Sequence, residues 1–141
     1  MNASDASLPI AIAGASGRMG RMLIEAVLQS GDCRLAGALD VAASPALGQD
    51  AAAFLGRSSA VAITSDVRQG LSGARVLIDF TRPEGTLAHL AVCRELGVAA
   101  VVGTTGLSPT QKAEVAAHAV HIPVVMAPNM SVGVNVVFKL L

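Results

Sequence analysis

Residues 8–13, Leu-Pro-Ile-Ala-Ile-Ala, run without a charged break into Gly14-Ala-Ser-Gly17-Arg-Met-Gly20, and helical periodicity starts directly behind them. An unbroken apolar run of that length predicts a strand buried on both faces, since a half-exposed strand would alternate. Met19, Leu23, Ala26, Val27 and Ser30 then share one side of a 3.6-residue repeat. Residues 18–30 are therefore expected to form a helix with one packed face, with Gly31 placed to stop it. A buried strand that turns through glycines into a helix is the first half of a βαβ unit, which restricts the chain to parallel α/β architectures.

The remainder repeats the alternation. Residues 34–39 read as a second strand that ends at Asp40. The stretch 41–73 is irregular, Ala-rich and punctuated by glycine, with a short strand expected over 61–64 and a helical turn from Asp66. A third strand is expected over 75–80. Thr81-Arg-Pro83-Glu84 has the spacing of a capping box with Pro in the first turn, predicting a helix to Leu96 that stops at Gly97. A fourth buried strand, 98–102, leads into Gly103-Thr-Thr-Gly106, and Ser108-Pro109-Thr110-Gln111 repeats the helix-start signal. Residues 122–127 read as the last strand, and Ser131 is placed to cap a final helix. The fold class is α/β: a Rossmann-type doubly wound parallel sheet with helices on both faces. Residues 1–130 are assigned to a dinucleotide-binding domain and 131–141 to the start of a truncated connection. The chain closes inside an apolar helix with no C-cap, the ending expected of a fragment.

Composition excludes several functions. Ten basic residues balance ten acidic ones and the isoelectric point is about 6.8, so there is no basic footprint for nucleic acid. Apolar residues make up 52% of the chain, too many for a disordered segment of zero net charge. No apolar run reaches the ~18 residues of a membrane span, and the first seven residues carry no basic group of a secretory leader. Cys33 and Cys93 lie far apart with no histidine at metal-ligand spacing, so two reduced thiols, no metal and a cytoplasmic location are expected.

The glycine loop carries the chemistry. Gly14 permits a tight turn, Gly17 lets backbone approach a pyrophosphate, and Gly20 lets the helix lie close on the strand. The phosphates would then sit against unpaired N–H groups at the positive end of the helix dipole. Asp40 follows Gly20 by twenty residues, where a carboxylate accepts from both ribose hydroxyls of an adenosine and repels a 2′-phosphate. Val41 supplies no compensating charge, so NADH is favoured over NADPH, unless a distant Arg such as Arg57 folds back. Asp79-Phe80-Thr81-Arg82, Gly103-Thr104-Thr105 and Ala127-Pro128-Asn129-Met130 fall at the carboxyl ends of later strands, the edge where such sheets bind ligands. Asp79 either acts as a base or orders its loop. His89, His118 and His121 fall on expected helices and read as solvent-facing; Cys93 reads as core. No nucleophilic triad can be assembled, and no catalytic residue is assigned.

Four blocks, Ala13-Gly-Ala-Ser-Gly-Arg-Met-Gly20, Ile78-Asp-Phe-Thr-Arg-Pro-Glu-Gly85, Val102-Gly-Thr-Thr-Gly106 and Asn129-Met-Ser-Val-Gly-Val-Asn135, occur in the order seen in bacterial dihydrodipicolinate reductases, and the chain resembles that family from Pro9 to Leu141. The resemblance implies an NAD(P)H-dependent reductase of a cyclic dicarboxylate imine in lysine and diaminopimelate biosynthesis. By position, Gly14, Ala15, Ser16, Gly17, Arg18 and Met19 would hold the pyrophosphate, Asp40 the ribose, and Arg82 the adenosine side. Gly103, Thr104 and Thr105, with Ala127, Pro128, Asn129 and Met130, would flank the nicotinamide. Family members are homotetramers and take a small dicarboxylate substrate. Their His-His pair, proton-donating Lys and substrate loop follow the last block and are not in these 141 residues, so the chain alone is expected to be inactive. A non-catalytic nucleotide- or CoA-binding Rossmann module is the alternative.

Overall fold

The computed structural model describes residues 6–126. Its elements are β1 (Leu8–Ala13), α1 (Arg18–Gln29), β2 (Cys33–Leu39), a 3₁₀ turn (Ala53–Leu55), α2 (Val67–Leu71), β3 (Val76–Asp79), α3 (Pro83–Leu96), β4 (Ala99–Val102), α4 (Pro109–Ala119) and β5 (Val124–Met126). The strands pair in parallel in the order β2-β1-β3-β4-β5. From β1 the chain winds outward to β2, then returns past β1 to β3, β4 and β5. That reversal leaves a crevice between the carboxyl ends of β1 and β3. The expected Rossmann-type sheet is the one observed.

Each strand serves two cores because successive side chains point to opposite faces. Ile10 and Ile12 of β1, with Val76 and Ile78 of β3, pack on Leu23, Ile24 and Val27 of α1. Ala11, Ala13 and Leu77 face the other way, onto Leu71 and Cys93, and a third cluster joins Leu90 of α3 to Val115 of α4 through Ala100 and Val102. Each fully buried Leu, Ile or Val contributes roughly 1.5–3 kcal/mol. On α1 the buried stripe is Gly20, Leu23, Ile24 and Val27, one step round from the expected face, so Met19, Ala26 and Ser30 lie at its margin.

Two local expectations change. Instead of a strand over 61–64 there are two isolated bridges, Leu39 to Thr64 and Asp50 to Ala62. That segment is organised by Asp50, whose carboxylate accepts from the N–H groups of Ala52, Ser59 and Ala60 and from the Ser59 hydroxyl. These bonds hold the Asp50 carboxyl down at about 2. The Thr81–Glu84 capping box does not form: Arg82 is the N-cap of α3, without a side-chain bond. The Ser108–Gln111 box does form, with both reciprocal bonds. Helix α1 ends where expected, with Ser30 as its C-cap and Gly31 directly after it. Ser131 lies outside the described residues.

Both cysteines are buried and free. Burial raises the Cys33 thiol; burial, with the Asp79 charge nearby, pushes Cys93 up to about 12. Neither thiol is a nucleophile at neutral pH. Among the described residues no helix is long and apolar enough to cross a membrane, and no cluster of His, Cys, Asp and Glu is placed to hold a metal.

Candidate functional site

The sheet's carboxyl edge opens into a cavity of about 850 Å³. Its floor is the glycine loop. Gly14 has φ +70°, a left-handed conformation that glycine adopts without strain. A Cβ on Gly20 would lie 2.0 Å from the Gly14 carbonyl oxygen, so α1 can rest on the loop only without one. Gly17 caps α1 with no side chain, and no acid occupies the first turn. The first N–H groups of a helix have no intrahelical acceptor, and among the described residues no side chain caps them. They form a positive, hydrogen-bonding rim suited to an anion.

Asp40 follows β2 on one flank. Its Oδ2 accepts from the Ser16 N–H at 3.2 Å, from the Ser16 hydroxyl, and from the Ser44 hydroxyl at 3.1 Å. Oδ1 accepts from the Val41 N–H at 2.9 Å. Partial burial pushes this carboxyl up, but the bonds from Ser16, Val41 and Ser44 outweigh it and leave the group below the ordinary range. Asp40 is therefore a carboxylate at neutral pH, fastened to the glycine loop. Val41, beside it, is exposed and apolar.

The other flank belongs to β3 and α3. Asp79 is 1% exposed. Its Oδ1 accepts from the Thr81 N–H at 2.8 Å and hydroxyl at 2.6 Å, and its Oδ2 lies 2.6 Å from His89 Nδ1. Burial raises the Asp79 carboxyl, but the hydrogen bond and charge of His89, with the two Thr81 bonds, bring it below the ordinary range. A buried carboxylate needs donors more than an exposed helix start does, so Thr81 turns to Asp79 and the capping box is lost. His89 lines the cavity and is not the solvent-facing residue expected. Helix α3 starts so soon after β3 that its second turn still stands over the strand's end. His121 is solvent-exposed as expected, but it lies in the turn after α4 and not on a helix. His118 is half-buried on α4, with no partner for Nδ1 among the described residues.

Gly14, Ser16, Gly17, Arg18, Met19, Asp40 and Arg82 are thus brought to one cavity, while Ala15 is buried beneath it. Gly103, Thr104 and Thr105 follow β4 but do not line it. The space a Cβ would take on Gly103 is filled by the Phe80 ring, 1.8 Å away, and Thr104 is turned inward, 6% exposed. Arg57 does not line the cavity either. Ala127, Pro128, Asn129 and Met130 lie outside the described residues. Sequence reasoning did not find His89, Ser44 or the Ser16–Asp40 bond. The one available signal for His89 was its spacing of ten from Asp79, which carries meaning only once the strand–helix turn is known.

Comparison with known proteins gives the same lineage. The 4-hydroxy-tetrahydrodipicolinate reductase of Cupriavidus taiwanensis is 64% identical over 132 residues, covering 94% of this chain and 50% of the relative. The chain thus spans about half the length of the relatives it matches. A dipicolinate-bound dihydrodipicolinate reductase from Paenisporosarcina sp. TG-14 superposes with a TM-score of 0.69 at 24% identity, over 87% of this chain and 48% of that one. The WlbA dehydrogenase of Chromobacterium violaceum, solved with NADH and UDP-GlcNAcA, shares the fold at TM-score 0.69 and 15% identity, over 88% and 36%. A family model described as "Dihydrodipicolinate reductase, N-terminus" matches residues 8–130, and the chain belongs to that family.

Proposed function

We propose that this chain is the NAD(P)H-binding half of a 4-hydroxy-tetrahydrodipicolinate reductase, which reduces a cyclic dicarboxylate imine in lysine and diaminopimelate biosynthesis. The observation that carries the reading is the pairing of Asp40 with the glycine loop across one cavity. A dinucleotide fits that surface: the uncapped N-terminus of α1 meets anionic oxygens, the carboxylate meets hydroxyl donors, and the cavity admits a large flat ligand. Gly14 to Met19 would hold the pyrophosphate, Asp40 the ribose diol and Arg82 the adenosine side. Gly103 to Thr105 and Ala127 to Met130 would flank the nicotinamide. The reduced dinucleotide supplies a hydride when bound; this chain's part is to bind it, orient it and expose one face.

NADH is preferred over NADPH in this reading. Asp40 is ionised, and the Val41 beside it offers no cation to a 2′-phosphate. The enzyme is read as cytoplasmic and, following its family, tetrameric. The 141 residues alone are proposed to bind cofactor without turnover, because the family's proton donor follows the last shared block. Calorimetry with NADH, NADPH and coenzyme A tests the reading. The expected result is saturable NADH binding, tighter than NADPH and weakened at least tenfold by Asp40→Ala, the loss of two hydrogen bonds to a charged acceptor at about 1 kcal/mol or more each. Coenzyme A binding that NADH does not displace would overturn it, as would imine reduction by the purified 141 residues for the claim of inactivity.

A further inference from the structure

Thr86 of α3 and Thr104 of the loop after β4 are 0% and 6% exposed, with their hydroxyls 2.6 Å apart. Valine would fill the same volumes with no desolvation cost, so packing alone does not account for two hydroxyls here. The chain of contacts continues in both directions. Thr86 Oγ1 lies 3.5 Å from Thr81 Oγ1, whose proton goes to the Asp79 carboxylate. The Asp79 carbonyl accepts from the Gly103 N–H at 2.8 Å, and the Thr104 hydroxyl lies 3.5 Å from the same oxygen. Two loops at the ligand edge, one after β3 and one after β4, are thereby tied to a single buried residue. The Phe80 ring packed on Gly103 closes the same seam.

We propose that Asp79, Thr86 and Thr104 are positioning residues that hold the 103–106 loop against the turn after β3, giving the nicotinamide half of a bound dinucleotide a fixed surface. The inference rests on the proposed cofactor function and goes beyond it by dividing the site in two. Asp40 stands at the end of β2, and β4 is three strands away, about 14 Å at ~4.8 Å per strand. The ribose anchor and the 103–106 loop therefore serve opposite halves of the ligand. Breaking the Thr86–Thr104 bond loosens one half and leaves Thr81, Asp79 and His89 joined.

The test compares NADH with ADP-ribose, which lacks the nicotinamide, by calorimetry on the 141-residue chain. Thr86→Val is expected to weaken NADH about five- to tenfold, the scale of one lost hydrogen bond, and to leave ADP-ribose within about twofold. Thr86→Ser restores NADH binding, and Thr104→Val reproduces the loss. The double valine variant loses no more than either single one, because the two share one bond. Circular dichroism checks that each variant is folded, and Thr104→Val carries the test if Thr86→Val is not. Equal weakening of both ligands, additive losses, or no rescue by serine overturns the inference and leaves the cofactor assignment standing. A wild-type chain that binds neither ligand overturns both.

Discussion

Ala60 has φ +61°, the one non-glycine among the described residues in the left-handed region. An L-residue there costs about 1–2 kcal/mol. The strain is held in place by Asp50, which takes the Ala60 N–H at 3.0 Å along with the donors of Ser59 and Ala52. Ala60→Gly relieves the strain at a smaller cost in unfolded-chain entropy. It is expected to stabilise the chain by roughly 0.5–1 kcal/mol, read as a rise in the urea midpoint; an unchanged or lower midpoint refutes this. Ala60 shows why some of the molecule was not legible in the sequence: nothing in Ser58-Ser59-Ala60 announces a carboxylate nine or ten residues earlier. The candidate site divides in the same way. Asp40 and the glycine loop could be read because the meaning of each lies in local spacing. His89 could not, because its partner Asp79 is set by how α3 leaves β3.

At the scale of elements, the two helix starts invite comparison. Thr81-x-x-Glu84 and Ser108-x-x-Gln111 carry the same signal, and only the second is built. Two things differ: Pro83 opens its helix one residue later than Pro109 does, which makes Arg82 the N-cap, and two places before Thr81 stands a buried aspartate that claims both Thr81 donors. Strand and helix positions were readable because apolar periodicity reports burial directly; caps were readable only where nothing buried competes. Ser108→Ala is therefore expected to cost about 1 kcal/mol, while Glu84→Ala costs less than roughly 0.5 kcal/mol because it ends only a weak helix-dipole contribution. Comparable losses in thermal or urea unfolding would mean that Glu84 caps α3 after all. The contact between α1 and its loop is less forgiving. A Cβ at Gly20 meets backbone at 2.0 Å, so Gly20→Ala is expected to destabilise by about 1–3 kcal/mol and to loosen NADH binding with it.

For the whole molecule, net charge and depressed carboxylates act together at low pH. Ten acidic and ten basic residues leave the chain neutral at pH 7, so self-repulsion there is small. Asp40 and Asp79 lie below their ordinary value of 3.8, and Asp50 is held at about 2. Above about pH 5 all three are ionised whether the chain is folded or not, and their contribution to stability is complete. Between 3.8 and the folded values the unfolded chain takes up protons first, so stability falls as pH falls. The same protonation turns the neutral chain into a polycation, which adds repulsion to the loss. Urea midpoints are therefore expected to decline steadily from pH 4 to 2. Asp50→Asn isolates the share that belongs to Asp50. It lowers the midpoint at pH 6, where the native carboxylate and its donors are intact. It also flattens the decline between 3.8 and about 2, since asparagine has no proton to gain. A variant that keeps the full wild-type slope would leave the acid loss to Asp40, Asp79 and repulsion, and the Asp50 linkage would be wrong.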